Sequence, residues 1–213
     1  MQINTILFDL DGTLINTNDL IMASFQHTLN HYYPDRFSED DLLTFIGEPL
    51  YDSFKRLDKE RAREMVEMYR EHNIENHEKF VTSFPGVIDT VKQLDRNGFK
   101  LPVVTSKMRE SAGLCLKITK LSPFFDVVVT VDDVTKAKPA PEPLEKAMAR
   151  LQATPESTLM VGDSQYDIIA GKKAGTYTAG VAWSLKGKDF MKNLEPDLLI
   201  DEMPELLRFL GVK

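Results

Sequence analysis

Two carboxylates stand two residues apart near the start of the chain, directly after an apolar run. Residues 6–14 read ILFDLDGTL, and the two acidic residues are Asp9 and Asp11. An apolar run of this kind predicts a buried strand, and like charges gathered at a buried place are costly without a counter-charge. The stretch therefore indicates a site at which cations and a reacting group could be brought together.

Further polar residues follow three other apolar runs of the sequence. In chain order they are Thr105, Ser106, Lys107, Arg109, Lys138, Asp163 and Asp167. In a doubly wound sheet, ligands bind beyond the carboxyl ends of the strands. We therefore expect these residues to converge with Asp9 and Asp11 at one edge of a sheet.

The elements that must position these residues alternate along the chain. Predicted strands lie at 5–9, 101–106, 126–131, 158–163, 177–183 and 197–201, and predicted helices at 85–98, 111–120, 141–151 and 166–175. The strand candidates are continuous apolar runs, which favour strands covered on both faces. The pattern predicts an α/β fold built on a doubly wound parallel sheet, of the Rossmann type.

One segment interrupts this alternation. Residues 16–82 contain helical patterns and no convincing strand. We interpret them as an all-helical domain inserted into a core domain formed by residues 1–15 and 83–213. All four histidines fall in this insert with spacings that match no common metal-ligand pattern, so we expect them on solvated helix faces.

The residue types indicate phosphoryl transfer. Asp9, Asp11 and Asp163 would repel one another unless a cation lay among them, and carboxylate oxygens without nearby histidine or cysteine favour Mg2+ over zinc. Lys138 could offset charge, and Thr105 could donate a hydrogen bond to a phosphoryl oxygen. One carboxylate could attack phosphorus, while a second protonates the leaving oxygen and then activates water.

Each of these elements also has an ordinary structural interpretation. An aspartate pair after a strand can be a solvated turn, the Gly-Asp at 162–163 is a common turn, and the prolines at 138–143 can begin a helix. Lys107 and Arg109 can be surface cations at a helix start. The order and placement of all the elements together are harder to explain as turns, which favours the functional interpretation.

Composition and charge limit the classes of partner. The 213 residues carry a formal charge of -7 with no block of like charges, which argues against binding along a nucleic-acid duplex. No stretch approaches the roughly 18 apolar residues of a membrane span. The single cysteine, Cys115, fits a reducing compartment and a small buried hydrophobe. We expect a cytoplasmic protein with a small anionic substrate; the sequence does not indicate its oligomeric state.

The sequence resembles the haloacid dehalogenase superfamily of phosphohydrolases. The resemblance covers essentially the whole chain and rests on DLDGT at 9–13, VVTSK at 103–107, KPAPEP at 138–143 and GDSQYD at 162–167. Aspartate at both acidic positions of the first motif is similar to the phosphatase and phosphomutase branch. The resemblance implies that the helical insert is a mobile cap that closes over the substrate.

The resemblance also implies roles for the acidic residues. Asp9 would be the nucleophile and Asp11 the general acid and base. Mg2+ would be bound by the Asp9 side chain, the Asp11 backbone carbonyl and Asp163, and Asp167 would orient that shell.

The remaining motif residues would serve the same reaction. Thr105 and Lys138 are the other candidate catalytic residues. Gly12, Thr13 and Ser106 are candidates for binding the substrate, since Gly12 gives the backbone room near a phosphate and Thr13 can stabilise the loop.

Within this superfamily the chain is most similar to the PpaX-type inorganic pyrophosphatases of Gram-positive bacteria, in which pyrophosphate comes from phosphorolysis of the seryl-phosphorylated carrier protein HPr. The stretches FDLDGTLINTN, FFDVVVTVDDV, KPAPEPL and WSLKG carry this similarity. It implies pyrophosphate as substrate. Lys107 and Arg109, just past the predicted strand at 101–106, are placed to serve the leaving phosphate.

Other functions stay open at this stage. Phosphoglycolate phosphatases share much of the resemblance, so phosphoglycolate or another small phosphomonoester is the alternative substrate. A phosphomutase and a non-enzymatic phosphoacceptor domain are further alternatives. A receiver-type phosphoacceptor, however, needs neither a second aspartate after its acceptor nor a large helical insert.

Overall fold

The structure is a computed structural model that describes residues 3–46 and 48–212. The chain divides into two compact units. One comprises Met1–Asn16 and Thr82–Lys213, and the other comprises Thr17–Val81. The first is an α/β unit, and the second is helical in its described part.

The strands of the described residues form two sheets in the α/β unit. In chain order they are β1 (Thr5–Phe8), β2 (Ile15–Asn16), β3 (Thr82–Ser83), β4 (Val103–Val104), β5 (Val128–Val129), β6 (Thr158–Gly162), β7 (Tyr177–Val181) and β8 (Leu198–Ile200). Six of them form a parallel sheet in the order β5-β4-β1-β6-β7-β8, and β2 pairs with β3 antiparallel. The predicted α/β fold with a doubly wound parallel sheet is confirmed. Each of the six strands in the parallel sheet is shorter than the apolar run that predicted it.

The strand order places a switch point beside β1. From β1 the chain builds the sheet to one side through β4 and β5, and then to the other side through β6, β7 and β8. Phe8 is in register with Val161 of β6, and the Asp9 amide donates to the Val161 carbonyl at 2.9 Å. Because ligands bind where the strand order reverses, the residues just after β1 and β6 occupy the expected position of a site.

Helices cover the sheet and form the second unit. They are α1 (Asn18–Tyr32), α2 (Glu39–Leu43), α3 (Leu50–Leu57), α4 (Ala62–Glu75), α5 (His77–Phe80), α6 (Val87–Arg96), α7 (Arg109–Ile118), α8 (Glu142–Leu151), α9 (Gln165–Ala174), α10 (Lys188–Asn193) and α11 (Glu205–Phe209). In the core, Leu7 and Met160 of the sheet pack with Leu144 of α8 and Ala170 of α9. This packing holds α8 and α9 against the sheet, and so it fixes the positions of the polar residues that these helices carry.

Cys115 on α7 is fully buried, as expected. Burial raises the pKa of its thiol to about 12, so the side chain is a neutral thiol at neutral pH. Its role is that of a small core residue.

The helical unit has its own aromatic core. Phe25 packs against Phe45, Phe54 and Tyr69 with ring centroids 4.9 to 5.5 Å apart. These rings belong to one buried apolar cluster within the unit. Among the described residues, no helix has the length and apolar character needed to cross a membrane.

The histidines correct one expectation. His27 and His31 are exposed as predicted, and His72 is half-buried with its ring stacked on His27. His77 is fully buried, so its predicted place on a solvated face is wrong. Its Nδ1 is hydrogen-bonded to the Asn73 carbonyl, and such a contact to the backbone lets an imidazole enter a core.

Two helical glycines give a matched test of the packing of α9 on the sheet. A methyl group at Gly171 would lie 2.6 Å from Thr178 Cγ2, whereas one at Gly113 of α7 would meet nothing within 4 Å. We expect Gly171→Ala to lower the free energy of unfolding by about 1–3 kcal/mol through overpacking. Gly113→Ala should raise it by up to about 1 kcal/mol through helix propensity. Urea unfolding measures both, and equal effects would contradict the close packing at Gly171.

Candidate active site

Three carboxylates meet at the carboxyl edge of the sheet. Asp9 directly follows β1, Asp163 directly follows β6, and Asp167 lies in the first turn of α9. Each offers an oxygen that lies within 4.8 Å of those of the other two, and all three residues are buried. The predicted convergence of Asp9, Asp163 and Asp167 is therefore present in the structure.

Lys138 supplies a positive charge within this group. Its Nζ donates to Asp9 Oδ1 at 2.7 Å, to Asp167 Oδ1 at 2.6 Å and to the Val104 carbonyl at 3.0 Å, and its side chain is 3% exposed. Burial lowers the pKa of Lys138, but the charges of Asp167 and Asp9 outweigh it and hold that pKa above its usual value. The lysine is therefore a permanent cation that joins two of the carboxylates.

One lysine does not balance three buried carboxylates. Burial raises the pKa of Asp9 to about 7, although Lys138 acts in the opposite direction. Burial and the charges of Asp9 and Asp167 raise the pKa of Asp163 well above its usual value. Carboxylate oxygens are the donors that hard divalent cations prefer, so these residues fit a cation such as Mg2+, which would favour their charged forms.

Asp167 is fully engaged by its neighbours. Its Oδ1 accepts from Lys138, and its Oδ2 accepts from the hydroxyl of Ser164 at 2.5 Å and from the Ser164 amide at 3.1 Å. Ser164 and Asp167 form a capping box that begins α9. Sequence reasoning missed Ser164, although the spacing Ser-x-x-Asp at 164–167 is a signal that could have identified it.

The loop after β1 brings its backbone against Asp163. Gly12 has φ +81°, and a methyl group there would lie 2.2 Å from Asp163 Oδ2. Only glycine combines this left-handed conformation with such a close approach. The hydroxyl of Thr13, which is fully buried, donates to Asp9 Oδ2 at the long distance of 3.4 Å. Gly12 therefore lets the loop approach Asp163, and Thr13 contacts Asp9; the role of both residues in binding the substrate stays a prediction.

Asp11 lies beside a different lysine. Lys107 Nζ donates to Asp11 Oδ1 at 2.9 Å, with 12% and 19% of the two side chains exposed. The backbone amide of Lys107 donates to the hydroxyl of Thr105, a buried residue just beyond β4. Ser106 between them is half-buried. The structure thus brings Lys107 and Thr105 together at the edge where Asp11 lies.

Arg109 has a different partner. Its guanidinium donates to Asp133 Oδ2, its side chain is 54% exposed, and Asp133 is also paired with Arg150. Burial raises the pKa of Asp133, but hydrogen bonds from Thr130 and the charge of Arg109 outweigh it and lower the pKa to about 2. The structure does not bring Arg109 to the carboxylate cluster. Arg109 is instead an exposed cation at the start of α7, which is the structural alternative stated above.

A second residue that sequence reasoning missed holds the loop before Lys138. The carboxylate of Glu142 accepts from the backbone amides of Thr135 and Lys136, at 2.9 and 2.8 Å, and from Lys146 at 2.7 Å. The hydrogen bond from Lys146 and those two amides lower the pKa of Glu142 to about 2. Glu142 is the acidic residue of the KPAPEP motif, and its place in the first turn of α8 is a signal for such a contact.

A family comparison identifies the class of enzyme. The family model described as haloacid dehalogenase-like hydrolase matches residues 6–181. The chain belongs to the haloacid dehalogenase-like hydrolases. This haloacid dehalogenase-like hydrolase carries its buried carboxylates within the matched residues.

Relatives and solved structures agree with the family. The chain is 57% identical over 212 residues to the pyrophosphatase PpaX of Anoxybacillus flavithermus and 54% identical over 213 residues to that of Halalkalibacterium halodurans, covering all of this chain and 99% of each relative. A haloacid dehalogenase-like hydrolase structure from Bacteroides fragilis superposes with a TM-score of 0.90 at 26% identity, covering 96% of this chain and 100% of that one. The family and the names of these relatives support a phosphate-hydrolysing enzyme.

The raised pKa values predict how stability depends on pH without divalent cations. The folded pKa of Asp9, about 7, exceeds its usual value of 3.8, so its contribution to stability is full below about 3.8 and is lost as pH rises through 7. Asp163→Asn replaces a buried carboxyl whose charged form is disfavoured by burial and by the charges of Asp9 and Asp167. The change should raise the free energy of unfolding at pH 7.5 in EDTA by about 1–3 kcal/mol. Urea unfolding at pH 5 and pH 7.5 measures the free energy of unfolding of both proteins. The wild type should be less stable at pH 7.5 than at pH 5. A variant that is less stable than wild type at pH 7.5 would contradict the uncompensated charge.

Proposed function

We propose that the protein is a Mg2+-dependent phosphohydrolase that works through an aspartyl-phosphate on Asp9 and hydrolyses inorganic pyrophosphate. The observation that carries the proposal is that the two carboxylate oxygens of Asp9 accept hydrogen bonds of different length. Lys138 holds Oδ1 at 2.7 Å, whereas Oδ2 accepts the hydroxyl of Thr13 at 3.4 Å. The more weakly held oxygen is suited to attack phosphorus, while the other keeps the carboxylate oriented.

Asp9, Asp163 and the backbone carbonyl of Asp11 are proposed to hold Mg2+. When bound, the cation supplies charge neutralisation and orientation for an anionic phosphoryl group. Asp167 stays bound to Lys138 and Ser164, and so fixes the ammonium against Asp9. The need for a further cation beside three buried carboxylates supports this part of the proposal.

In the first step, an Asp9 oxygen forms a bond to phosphorus, and the bond between that phosphorus and the leaving oxygen breaks. The electron pair of the broken bond goes to the leaving oxygen. Asp11 can give that oxygen a proton where the leaving group is a strong base. The charge of Lys138 and the hydroxyl of Thr105 are proposed to stabilise the transferring group.

In the second step, a water molecule attacks the phosphorus of the aspartyl-phosphate. Its proton passes to the carboxylate of Asp11, the bond from the Asp9 oxygen to phosphorus breaks, and the electron pair returns to Asp9. The products are phosphate and the original carboxylate. The helical unit at Thr17–Val81 is proposed to act as a cap that limits access of bulk water.

Pyrophosphate is the substrate that the comparisons favour. Two relatives that match the whole chain at 57% and 54% identity are named pyrophosphatase PpaX. The lysine beside Asp11 adds a cation on the side of the proposed leaving group, which suits a substrate that carries charge on both phosphorus atoms.

Loss of the proposed nucleophile tests the function. We expect Asp9→Asn to lower release of phosphate from pyrophosphate at least about 1,000-fold, because the amide cannot form the covalent intermediate. Wild type should lose activity in EDTA and regain it with Mg2+. The measurement is phosphate release from pyrophosphate, phosphoglycolate and a sugar phosphate, with and without Mg2+. The exposed Asp95→Asn is the matched control, and activity that survives Asp9→Asn would overturn the proposal.

Loss of the proposed acid and base separates the two steps. A leaving phosphate is a weak base, with a second pKa of about 6, so the first step with pyrophosphate should depend little on a proton from Asp11. Hydrolysis of the intermediate still needs a base. We expect Asp11→Asn to release one phosphate per enzyme rapidly and then stall, as measured by rapid-quench kinetics. Absence of a burst, with cleavage as slow as for a sugar phosphate, would contradict this assignment.

A further inference from the structure

We infer that Lys107 is a specificity-determining residue, which favours substrates whose leaving group already carries negative charge before the bond breaks, such as the phosphate of pyrophosphate, over alkyl and aryl phosphates. The inference rests on the proposed function, because it takes Asp11 as the residue that faces the leaving oxygen. The observation behind it is the ion pair between Lys107 Nζ and Asp11 Oδ1 at 2.9 Å.

Lys107 is held in place by contacts on both sides of its backbone. Its amide donates to Thr105 Oγ1 at 3.1 Å, and its carbonyl accepts from the Val131 amide at 3.2 Å. Its side chain is 12% exposed, in contrast to the 54% exposed side chain of Arg109 two residues later. A lysine that is fixed at its backbone and largely withdrawn from water loses little further freedom when it binds an anion.

Lys138 and Lys107 pair with different candidate catalytic carboxylates. Lys138 is bound to Asp9 and Asp167, which places its charge beside the nucleophile. Lys107 is bound to Asp11, which places its charge beside the proposed leaving oxygen. An ammonium has three donors, so Lys107 can contact Asp11 and a substrate oxygen together.

The chemistry of the leaving group then decides how much Lys107 contributes. When pyrophosphate is cleaved, the departing phosphate carries negative charge on oxygens all around the breaking bond, and a cation beside it forms charge-assisted hydrogen bonds. When an aryl phosphate such as 4-nitrophenyl phosphate is cleaved, the departing 4-nitrophenolate is also a weak base. Its charge, however, develops only on the oxygen of the breaking bond, and no further anionic oxygens surround that bond. The two substrates therefore separate the charge that the leaving group carries before cleavage from the basicity of that group.

The test compares these two substrates in wild type and three variants. Lys107→Gln removes the charge, Lys107→Arg keeps it, and Lys117→Gln makes the same change at an exposed position of α7. We expect Lys107→Gln to lower kcat/KM for pyrophosphate by about 10- to 100-fold, as for one charge-assisted hydrogen bond. The loss with 4-nitrophenyl phosphate should be at least about 10-fold smaller. Lys107→Arg should restore most of the activity on pyrophosphate, and Lys117→Gln should behave as wild type.

The outcomes distinguish this inference from the proposed function. Equal losses on both substrates, or no loss on either, would overturn the inference while the pyrophosphatase assignment stands. A wild-type enzyme that does not cleave pyrophosphate would overturn both. Thermal melts accompany the kinetics, and Lys107→Met, also uncharged, replaces Lys107→Gln if that variant is unfolded at the assay temperature.

Discussion

The ammonium of Lys138 connects three parts of the chain that are distant in sequence. It donates to Asp9 after β1, to Asp167 on α9 and to the carbonyl of Val104 in β4. With 3% of its side chain exposed, it has no access to water that could replace these contacts. The arrangement at the sheet edge depends on this one cation, because loss of a partner from a buried ion pair leaves an uncompensated charge behind.

The same cluster shows a conflict between stability and function. Three buried carboxylates with one lysine are unfavourable as a folded arrangement, and the raised pKa values of Asp9 and Asp163 express that conflict. Backbone features hold the groups in place nonetheless, including the capping box at Ser164 and the close approach of Gly12 to Asp163. The proposed function would need this arrangement, because a site for a cation and an anionic substrate has to hold its charges in position before the ligands arrive.

Much of the fold could be predicted from the sequence because its signals are local. Apolar runs mark buried strands, and the residues that directly follow them must lie at the sheet edge, which is why Asp9 and Asp163 could be placed together. The capping box of α9 is equally local, since Ser164 and Asp167 are three residues apart.

The partner of each long side chain could not be predicted in this way. Lys107 and Arg109 are neighbours in sequence, but one pairs with Asp11 and the other with Asp133. Which acidic residue each of them contacts depends on the paths of the loops after β1 and β5, which carry Asp11 and Asp133. His77 is buried likewise because of how the helices of its unit pack together, which the spacing of the histidines does not reveal; its Nδ1 is hydrogen-bonded to the Asn73 carbonyl.

The strand order also has a consequence for synthesis of the chain. β1 is the first strand of the described residues, and both of its neighbours in the parallel sheet, β4 and β6, come from residues beyond position 100. The helical unit at Thr17–Val81 has been synthesised in full before either of those partners. β1, which directly precedes Asp9, is therefore synthesised before either of the strands with which it pairs in the parallel sheet. The apolar run that places the candidate nucleophile at the sheet edge is thus without its strand partners for part of translation.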